Sequence, residues 1–334
     1  MKHTLLRAAA LATTALLLSC AHARQVGVHD PVMARDGNTF YLFSTGPGIT
    51  FYSSTDLTSW SAAGRVFPQE PAWAKRVAPT FDGHIWAPDV IQSKGTFYLY
   101  YSVSGFGKNA SAIGVTVNST LDPKSPAYKW EDKGIVLESV PNRDNWNAID
   151  PNVVFDDKGT PWMTLGSFWS GIKLVKLAAD MVHLAEPQEW KALAIHAPDS
   201  DDTPNDIEGP FIFKKNGYYY LFASWGLCCR GKDSTYRTVV GRSKSVTGPY
   251  LDRSGKDMAR GGGSLVIDRN KDFSGVGHNS AYTFNGKDYL VVHAYEAADK
   301  YQQKLKMLEM KWDRDGWPVV DPEDLNRYQS KLLP

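Results

Sequence analysis

Three acidic residues stand near the start of repeated segments of this chain and could carry acid and base chemistry. They are Asp30, Asp150 and Glu208, and each is followed within two residues by a proline. Carboxylates that share a small site repel one another, so the pKa of at least one of them rises. Such a group can hold one protonated acid beside one ionised base. Asp before Pro is also a common turn residue, but Glu has no comparable preference, which favours chemistry at Glu208.

The acids belong to a unit that occurs five times. In 206–222 the unit reads as a short apolar strand, an Asn-Gly turn and an aromatic second strand. The other copies begin about sixty residues apart, which is the sign of a repeat architecture, and lie at 30–42, 88–99, 150–163 and 277–290. Each repeat has room for about four strands, the size of one propeller blade. The sequence therefore predicts an all-β, five-bladed β-propeller rather than a β-sandwich or a solenoid.

A propeller of this kind brings the starts of its inner strands together at one end of the central channel. We therefore expect Asp30, Asp150 and Glu208 to meet there. The other two units carry Asp89 and His278 at the corresponding place. Because the five starts differ, the pattern favours one asymmetric site over five equivalent binding sites.

Large aromatic residues are frequent, with 11 Trp, 16 Tyr and 14 Phe. Most of them are expected to pack between blades. A smaller set lies near the acids or in loops of the same face: Trp86, Phe106, Trp146, Trp169 and Trp225. Aromatic faces next to carboxylates suit a neutral sugar, whose C–H faces stack on rings while its hydroxyls find polar partners.

The charge balance excludes several classes of partner. Lys and Arg number 37 against 36 Asp and Glu, and no basic cluster is present. A near-neutral chain of this kind is a poor candidate for binding nucleic acid, anionic lipid or an acidic polysaccharide. We expect a monomer that binds a neutral polysaccharide.

Residues 1–23 have the pattern of a signal peptide. Lys2 and Arg7 supply a positive start, 8–18 are apolar, and Ala21-His22-Ala23 fits a cleavage site. The apolar run is too short for a transmembrane helix. An alternative is acylation of Cys20, although Leu18 is large for its place in a lipoprotein signal. The remainder, 24–334, is predicted to be a single domain that is secreted or periplasmic.

Cleavage would leave two cysteines, Cys228 and Cys229. Adjacent Cα atoms lie about 3.8 Å apart, below the roughly 4.4 Å lower limit of ordinary disulfides. Two small residues in a turn and a strained vicinal disulfide both remain open at this point.

The motifs around the acids resemble glycoside hydrolase family 43, and within it the endo-α-1,5-L-arabinanases. The likeness runs over 28–317 and rests on five motifs in order: Val28-His29-Asp30-Pro31, His84-Ile85-Trp86-Ala87-Pro88-Asp89, Asn147-Ala148-Ile149-Asp150-Pro151, Gly166-Ser167-Phe168-Trp169 and Ile207-Glu208-Gly209-Pro210. The resemblance implies a five-bladed propeller and an inverting mechanism. It makes Asp30 the general base, Glu208 the general acid, and Asp150 the carboxylate that keeps the pKa of the acid high.

The same resemblance implies a sugar site and a metal. Together with Asp30, the sugar site would be lined by Trp86, Gly105, Phe106, Asn147, Ser167, Phe168 and Trp169. His278 would face one calcium ion held largely through water, although calcium prefers oxygen ligands to imidazole. The expected substrate is plant cell-wall arabinan, cut within the chain.

Other functions remain open on the sequence. An exo-acting α-L-arabinofuranosidase or β-xylosidase of the same family differs only in loops whose shape the sequence does not give. A retaining fructan hydrolase on a five-bladed scaffold is a more distant alternative. A propeller that binds sugar without cleaving it would have no use for three converging acids.

Overall fold

A computed structural model describes residues 24–196 and 205–334. The predicted signal peptide and Cys20 lie outside the described residues. In the part that is described, the strands form five sheets of four or five strands each. All five sheets are antiparallel, except that the first sheet has one short parallel strand at its edge. The fold is the expected five-bladed β-propeller.

The strands follow the repeats in chain order. The first repeat holds β1 (Val32–Asp36), β2 (Thr39–Ser44), β3 (Gly46–Pro47), β4 (Thr50–Ser54) and β5 (Ser59–Arg65). After a helix, α1 (Ala74–Val77), the second holds β6 (His84–Ser93), β7 (Thr96–Val103), β8 (Ser111–Asn118) and β9 (Glu131–Ser139). The third holds β10 (Asn152–Phe155), β11 (Pro161–Leu165), β12 (Ile172–Lys176) and β13 (Trp190–Ala194).

The last two repeats are built in the same way. The fourth holds β14 (Ile207–Lys215), β15 (Tyr218–Trp225), β16 (Arg237–Ser243) and β17 (Ser264–Ile267). The fifth holds β18 (Phe273–Phe284), β19 (Lys287–Glu296), β20 (Gln302–Trp312) and β21 (Pro318–Val319), and is followed by α2 (Asp324–Arg327) and β22 (Lys331–Leu332). Single 3-10 turns lie at Gly231–Asp233, Met258–Arg260 and Ala297–Asp299. No helix in the described ranges is long and apolar enough to cross a membrane.

The hairpin between the first two strands of a blade forms where the sequence predicts it. In the fourth blade Asn216 and Gly217 have φ angles of 50° and 72°, and in the fifth Asn285 and Gly286 have 52° and 79°. Two successive positive φ angles match the twist of the flanking strands in a two-residue turn. The Asn-Gly pairs therefore fix the register of the inner hairpins.

Hydrophobic cores lie between neighbouring blades. Among the described residues, five clusters of buried side chains occur, one at each of the five junctions around the ring. At the first junction Phe43 stacks on Phe51 with ring centroids 5.3 Å apart, and Phe67 meets Tyr101 at 4.7 Å. Most aromatic residues are thus used for packing, as expected, and the blades are held as one body.

The ring closes between the fifth and first blades, with both ends of the described chain taking part. The backbone N–H of Leu305 in β20 donates to the carbonyl of Val26 at 2.9 Å. β22 pairs in parallel with β5, and the N–H of Leu332 donates to the carbonyl of Arg24 at 2.7 Å. The junction also buries Trp60 completely. The two end segments therefore bind each other and hold the fifth blade against the first, at a junction that we call the seam.

Candidate active site

The innermost strands of the five blades share one backbone feature. In each strand or just before it, a corresponding residue has positive φ: Asp30 (51°), Ala87 (39°), Asp150 (59°), Gly209 (59°) and His278 (45°). In three of the five strands the paired register shifts at this point, which marks a β-bulge. A bulge bends the strand and re-aims its side chains. These five residues are the structurally equivalent positions, so only two of the five carry an acid.

This register corrects, at two places, the set of corresponding residues that the sequence predicted for the five repeats. Asp89 lies two residues beyond the equivalent position of its blade, and Glu208 lies one residue before that of the fourth. The carboxylate of Asp89 accepts hydrogen bonds from the N–H of Val153 at 2.8 Å and from Asn152 at 3.3 Å. Asp89 is buried in this contact between the second and third blades, and burial raises its pKa to about 7. It is a structural acid outside the cluster that the other three form.

The backbone N–H at each positive-φ position is bound by a side chain from the preceding blade. Ala87 donates to Thr45 Oγ1 at 2.7 Å, Asp150 to Ser102 Oγ at 3.1 Å, Gly209 to Asp150 Oδ2 at 3.0 Å, His278 to Ser224 Oγ at 2.7 Å and Asp30 to His293 Nδ1 at 3.2 Å. Since buried backbone N–H groups need a partner, these bonds fix each bulge against its neighbour. The site is therefore positioned by contacts between blades.

Asp30 lies beside three imidazole rings. Its Oδ1 is 3.1 Å from His278 Nδ1 and 3.6 Å from His293 Nδ1, and its Oδ2 accepts a hydrogen bond from Thr45. Burial alone raises the pKa of Asp30, but His278, together with the two other imidazoles and the hydrogen bond from Thr45, outweighs it. The net pKa lies below its ordinary value, so this carboxylate is ionised.

Glu208 is held at both carboxylate oxygens. Ser167 donates to Oε2 at 2.5 Å, and the hydroxyl of Tyr236 donates to Oε1. Burial raises the pKa of Glu208, with a further rise from the charge of Asp30, and the two hydrogen bonds reduce the shift without cancelling it. The net pKa lies above that of an ordinary Glu, which favours a protonated acid.

Asp150 contacts the backbone of the strand that carries Glu208. Its Oδ2 accepts from the N–H of Gly209, the residue that follows Glu208. Burial raises its pKa to about 7, the charges of Glu208 and Asp30 add to the rise, and His278 opposes it. The three predicted carboxylates are therefore brought together, and their pKa values are pushed in opposite directions.

His278 occupies the fifth equivalent position and faces all three acids. Burial lowers its pKa, but Asp30, Asp150 and Glu208 together raise it above the ordinary value. Its Nδ1 is directed at Asp30. Calcium takes six to eight oxygen ligands, and a single imidazole beside an acid already bonded elsewhere supplies few of them. These residues fit a calcium ion only if water supplies most of its ligands.

A second group of possible metal ligands is formed by His29, Asp30 and His293, whose ligand atoms lie within 4.8 Å of one another. However, Nδ1 of His293 already accepts the Asp30 N–H. A ring nitrogen lone pair that is used in this way is not free for a metal. The group is therefore better described as a hydrogen-bonded cluster.

The predicted sugar-binding residues differ in exposure. Phe106 is 84% exposed and Trp169 39% exposed, whereas Asn147 and Ser167 are buried. Trp86, Gly105 and Phe168 are half-buried. Exposed aromatic side chains together with buried polar ones are what stacking on a sugar requires. Asn147 accepts a hydrogen bond from Ser111 at 2.6 Å, which orients its amide.

The loop that carries Phe168 and Trp169 has an unusual backbone. Both residues have positive φ, 55° and 39°, and the N–H of Phe168 donates to the carbonyl of Ile207 at 2.8 Å. Non-Gly residues in this region cost energy and cluster at functional sites. Because Ile207 precedes Glu208, the loop and the acid are bound together.

Two aromatic residues expected at the site are used differently. Trp146 packs against Trp190, with centroids 5.1 Å apart. Trp225 stacks on His196 at 4.2 Å. Both rings thus have protein partners, and packing explains them.

Sequence reasoning missed Tyr236, Thr45 and His293. Tyr236 is in no motif, and it reaches Glu208 only because the loop after β15 folds back. A signal for the others existed. In three repeats a hydroxyl residue lies within one position of the end of the second strand, namely Thr45, Ser102 or Ser224. In the fifth repeat His293 takes the same role.

The cysteine pair lies in that same loop. Cys228 and Cys229 form a vicinal disulfide with Cα atoms 3.8 Å apart. The N–H of Cys229 donates to the hydroxyl of Tyr295 at 2.9 Å. Of the two possibilities that the sequence left open, the structure has the disulfide.

The comparison with protein families agrees with this geometry. The model described as glycosyl hydrolases family 43 matches residues 25–318. The chain belongs to glycosyl hydrolase family 43. The family expected from the five motifs is thereby confirmed, and with it the assignment to the glycoside hydrolases.

Family 43 relatives match over nearly the whole chain. The extracellular exo-α-(1→5)-L-arabinofuranosidase ArbA of Cellvibrio japonicus is 63% identical over 329 residues, 97% of this chain and 94% of that protein. The extracellular endo-α-(1→5)-L-arabinanase 1 of Bacillus subtilis is 38% identical, with 87% of each chain covered.

Solved family 43 structures show the same fold. An α-L-arabinanase of Cellvibrio cellulosa in complex with arabinohexaose has a TM-score of 0.90 at 63% identity, covering 93% of this chain and 100% of that one. An exo-1,5-α-L-arabinanase from a bovine ruminal metagenomic library has a TM-score of 0.85 at 49% identity, covering 90% and 98%.

Proposed function

We propose that this protein is a secreted or periplasmic hydrolase of α-1,5-linked L-arabinan that works by inversion. The observation that carries the proposal is the carboxylate cluster, in which Asp30 has a lowered pKa and Glu208 and Asp150 have raised ones. The relatives at 63% and 38% identity are both named for hydrolysis of α-(1→5)-L-arabinan, and both are named extracellular. These names support the choice of substrate and location.

Asp30 is the general base in this proposal. Ionised Asp30 removes a proton from a water molecule as the water oxygen attacks the anomeric carbon. Thr45 and His278 hold the two carboxylate oxygens in place. Inversion requires the acid and base to be separated by enough space for that water, roughly 6.5–9.5 Å.

Glu208 is the general acid. It gives its proton to the glycosidic oxygen as the bond to the anomeric carbon breaks, so that the leaving sugar departs as an alcohol. At the end of the reaction the proton taken from water is on Asp30 and Glu208 is ionised. Exchange with solvent restores both groups. A raised pKa at Glu208 keeps the proton available to higher pH than at an ordinary Glu.

Asp150 acts on Glu208 in two ways. The charge of Glu208 raises the pKa of Asp150, and since two neighbouring carboxyl groups resist being ionised together, Asp150 is proposed to disfavour ionisation of Glu208 in turn. Its Oδ2 binds the N–H of Gly209, which fixes the strand next to the acid. Asp150 is thus proposed to orient the acid and raise its pKa.

The sugar nearest the cleaved bond is proposed to lie among the residues predicted from sequence. Phe106 and Trp169 offer exposed rings for stacking. Asn147 and Ser167 offer polar groups at the floor, with Phe168, Trp86 and the backbone of Gly105 beside them. Ser167 also bonds Glu208, so a bound sugar and the acid share one partner.

Two modes of attack are candidates. Cleavage within the chain, predicted from the sequence, is the activity named for the relative at 38% identity. Release from a chain end is named for the relative at 63% and for the solved structure at 49%. Because both proteins named for exo action are more similar to this chain than the one named for internal cleavage, exo action is kept as the second candidate.

One experiment tests substrate, mode and stereochemistry together. The protein is incubated with linear arabinan, branched arabinan, xylan and fructan, and the products are followed by chromatography and by NMR of the anomeric proton. We expect cleavage of linear arabinan with β-configured first products. Long oligosaccharides at early times indicate internal cleavage, and one short product from the start indicates exo action. Retention of configuration, or cleavage of xylan or fructan alone, contradicts the proposal.

A calcium ion near His278 is a separate part of the proposal, and no reaction step is assigned to it. We expect chelation to lower the melting temperature and calcium to restore it, because an ion that binds only the folded state stabilises that state. Magnesium serves as the control. An unchanged melting temperature removes the ion from the proposal.

A further inference from the structure

His293 lies at the junction of the fifth and first blades, next to the proposed base. It is fully buried in β19, and its Nδ1 accepts the backbone N–H of Asp30 at 3.2 Å. Asp30 needs such a partner because its positive φ takes its N–H out of regular sheet pairing. His293 thus holds the backbone of Asp30, while Thr45 and His278 hold its carboxylate.

The hydrogen bond defines the protonation of the ring. Nδ1 accepts, so the neutral imidazole carries its proton on Nε2. Among the described residues that proton has no hydrogen-bond partner. Burial lowers the pKa of His293 well below its ordinary value, and His29 adds to the effect. A neutral ring in one tautomer is a fixed acceptor.

His293 differs from its counterparts in the other blades in a way that matters for the site. Hydroxyls of Thr45, Ser102 and Ser224 bind the equivalent N–H groups elsewhere in the ring. An imidazole is larger and reaches a second neighbour. Its ring lies against that of Tyr236, with centroids 5.9 Å apart and planes 29° from parallel.

Tyr236 in turn binds Glu208 through its hydroxyl. One rigid, buried ring therefore contacts both the backbone of the proposed base and the aromatic ring that holds the proposed acid. We infer that His293 is a positioning residue that sets Asp30 against Glu208 across the seam of the propeller. The inference rests on the base role proposed for Asp30.

Substitutions at His293 can distinguish the effect of its hydrogen-bond acceptor, Nδ1, from the effect of its ring as a packing group. His293→Phe keeps the ring and removes the acceptor. His293→Asn places an amide oxygen near the position of Nδ1, whereas His293→Gln places its amide near Nε2. The kcat and KM of each variant are measured on linear arabinohexaose and on an aryl arabino-oligosaccharide with a good leaving group, below the melting temperature of the variant.

We expect His293→Phe to lose kcat roughly 10- to 100-fold, because displacing a reacting group by about 1 Å costs this much. The loss should appear on both substrates, since water activation is needed in each, while KM stays within about twofold. His293→Asn should recover part of kcat, and His293→Gln should recover less. The contrast between Asn and Gln stands even if the Phe variant does not fold.

Tyr282→Phe is the matched control. The hydroxyl of Tyr282, also from the fifth blade, accepts the N–H of Met33 at 2.8 Å, farther along the same inner strand. Its loss should lower the melting temperature and leave kcat within about twofold. A His293→Phe variant with wild-type kcat overturns the inference, as does equal loss in Asn and Gln or equal loss in Tyr282→Phe. If Asp30→Asn itself keeps activity, the proposed function has failed instead.

Discussion

The hydroxyl of Tyr236 donates a hydrogen bond to Oε1 of Glu208. A donor to a carboxylate stabilises the ionised form and lowers the pKa. The bond therefore works against the burial and the nearby charge that raise the pKa of this acid. Tyr236 tunes an acid that would otherwise hold its proton to higher pH.

Tyr236→Phe should shift the alkaline limb of the pH profile upward. Without the donor the pKa of Glu208 rises, and since the acid must be protonated to act, activity persists to higher pH. The measurement is kcat/KM against pH on linear arabino-oligosaccharides. Tyr250→Phe makes the same chemical change at a buried hydroxyl that binds the carbonyl of Val246, and it should leave the limb in place. A downward shift in Tyr236→Phe would contradict the role of the bond.

Glu208→Gln should lower kcat on unactivated arabinan by roughly 10²- to 10⁴-fold, the range for loss of general acid catalysis. Binding of the substrate should persist, because the amide keeps the shape of the side chain. An aryl substrate with a good leaving group does not need the proton and should lose much less. Calorimetric titration with arabinohexaose checks the binding. Wild-type rates on arabinan would refute the assignment.

Asp30→Asn should fail on both kinds of substrate, since water loses its base whatever the leaving group. We expect a loss of roughly 10²- to 10⁴-fold in each case. Comparison of arabinan with an aryl arabinoside separates this variant from Glu208→Gln. Activity retained on the aryl substrate would exclude the base role.

Asp89→Asn should remove a pH dependence of stability without removing activity. Burial raises the pKa of Asp89 from 3.8 to about 7, so between these values the folded state keeps a proton that the unfolded state has lost. Wild-type stability therefore falls as pH rises through this window, by up to about 1.4 kcal/mol per pH unit for one proton. Denaturant unfolding at several pH values measures the difference in slope between the two proteins.

Asp288→Asn is the control for this measurement. Asp288 is also buried, but its ion pair with Lys215, together with hydrogen bonds, outweighs burial and holds its pKa below the ordinary value. Its contribution is lost only as pH falls through that lowered pKa, so the slope between pH 4 and 7 should not change. A wild-type slope in Asp89→Asn would show that Asp89 does not titrate in this range.

The blade number and the three acids were predictable because both depend on patterns that recur in the sequence. Asn-Gly turns fix hairpins locally, and the repeat period fixes how many hairpins surround the axis. The place of Asp89 was not predictable in the same way. Within an inner strand, two residues of difference decide whether a side chain lies at the pocket or inside the junction between two blades. The β-bulges set this difference, and no particular residue type marks them in the sequence.

The contacts of Glu208 were also beyond the sequence. Tyr236 lies 28 residues from Glu208 along the chain and meets it through a folded loop. Likewise, His293 and Asp30 are 263 residues apart and meet only because the ring closes. Tertiary pairings of this kind leave no local pattern, whereas the hydroxyls at the ends of the second strands do.

The seam has a consequence for how the protein matures. Asp30 belongs to the first blade, while His278 and His293 belong to the last, and the strand at 331–332 is synthesised after all of them. In a nascent chain the three acidic residues are therefore synthesised well before the segments that close the ring. We expect chains arrested before residue 278 to be inactive toward arabinan. Activity should arise in one step when the full chain leaves the ribosome, so that hydrolysis reports closure of the propeller.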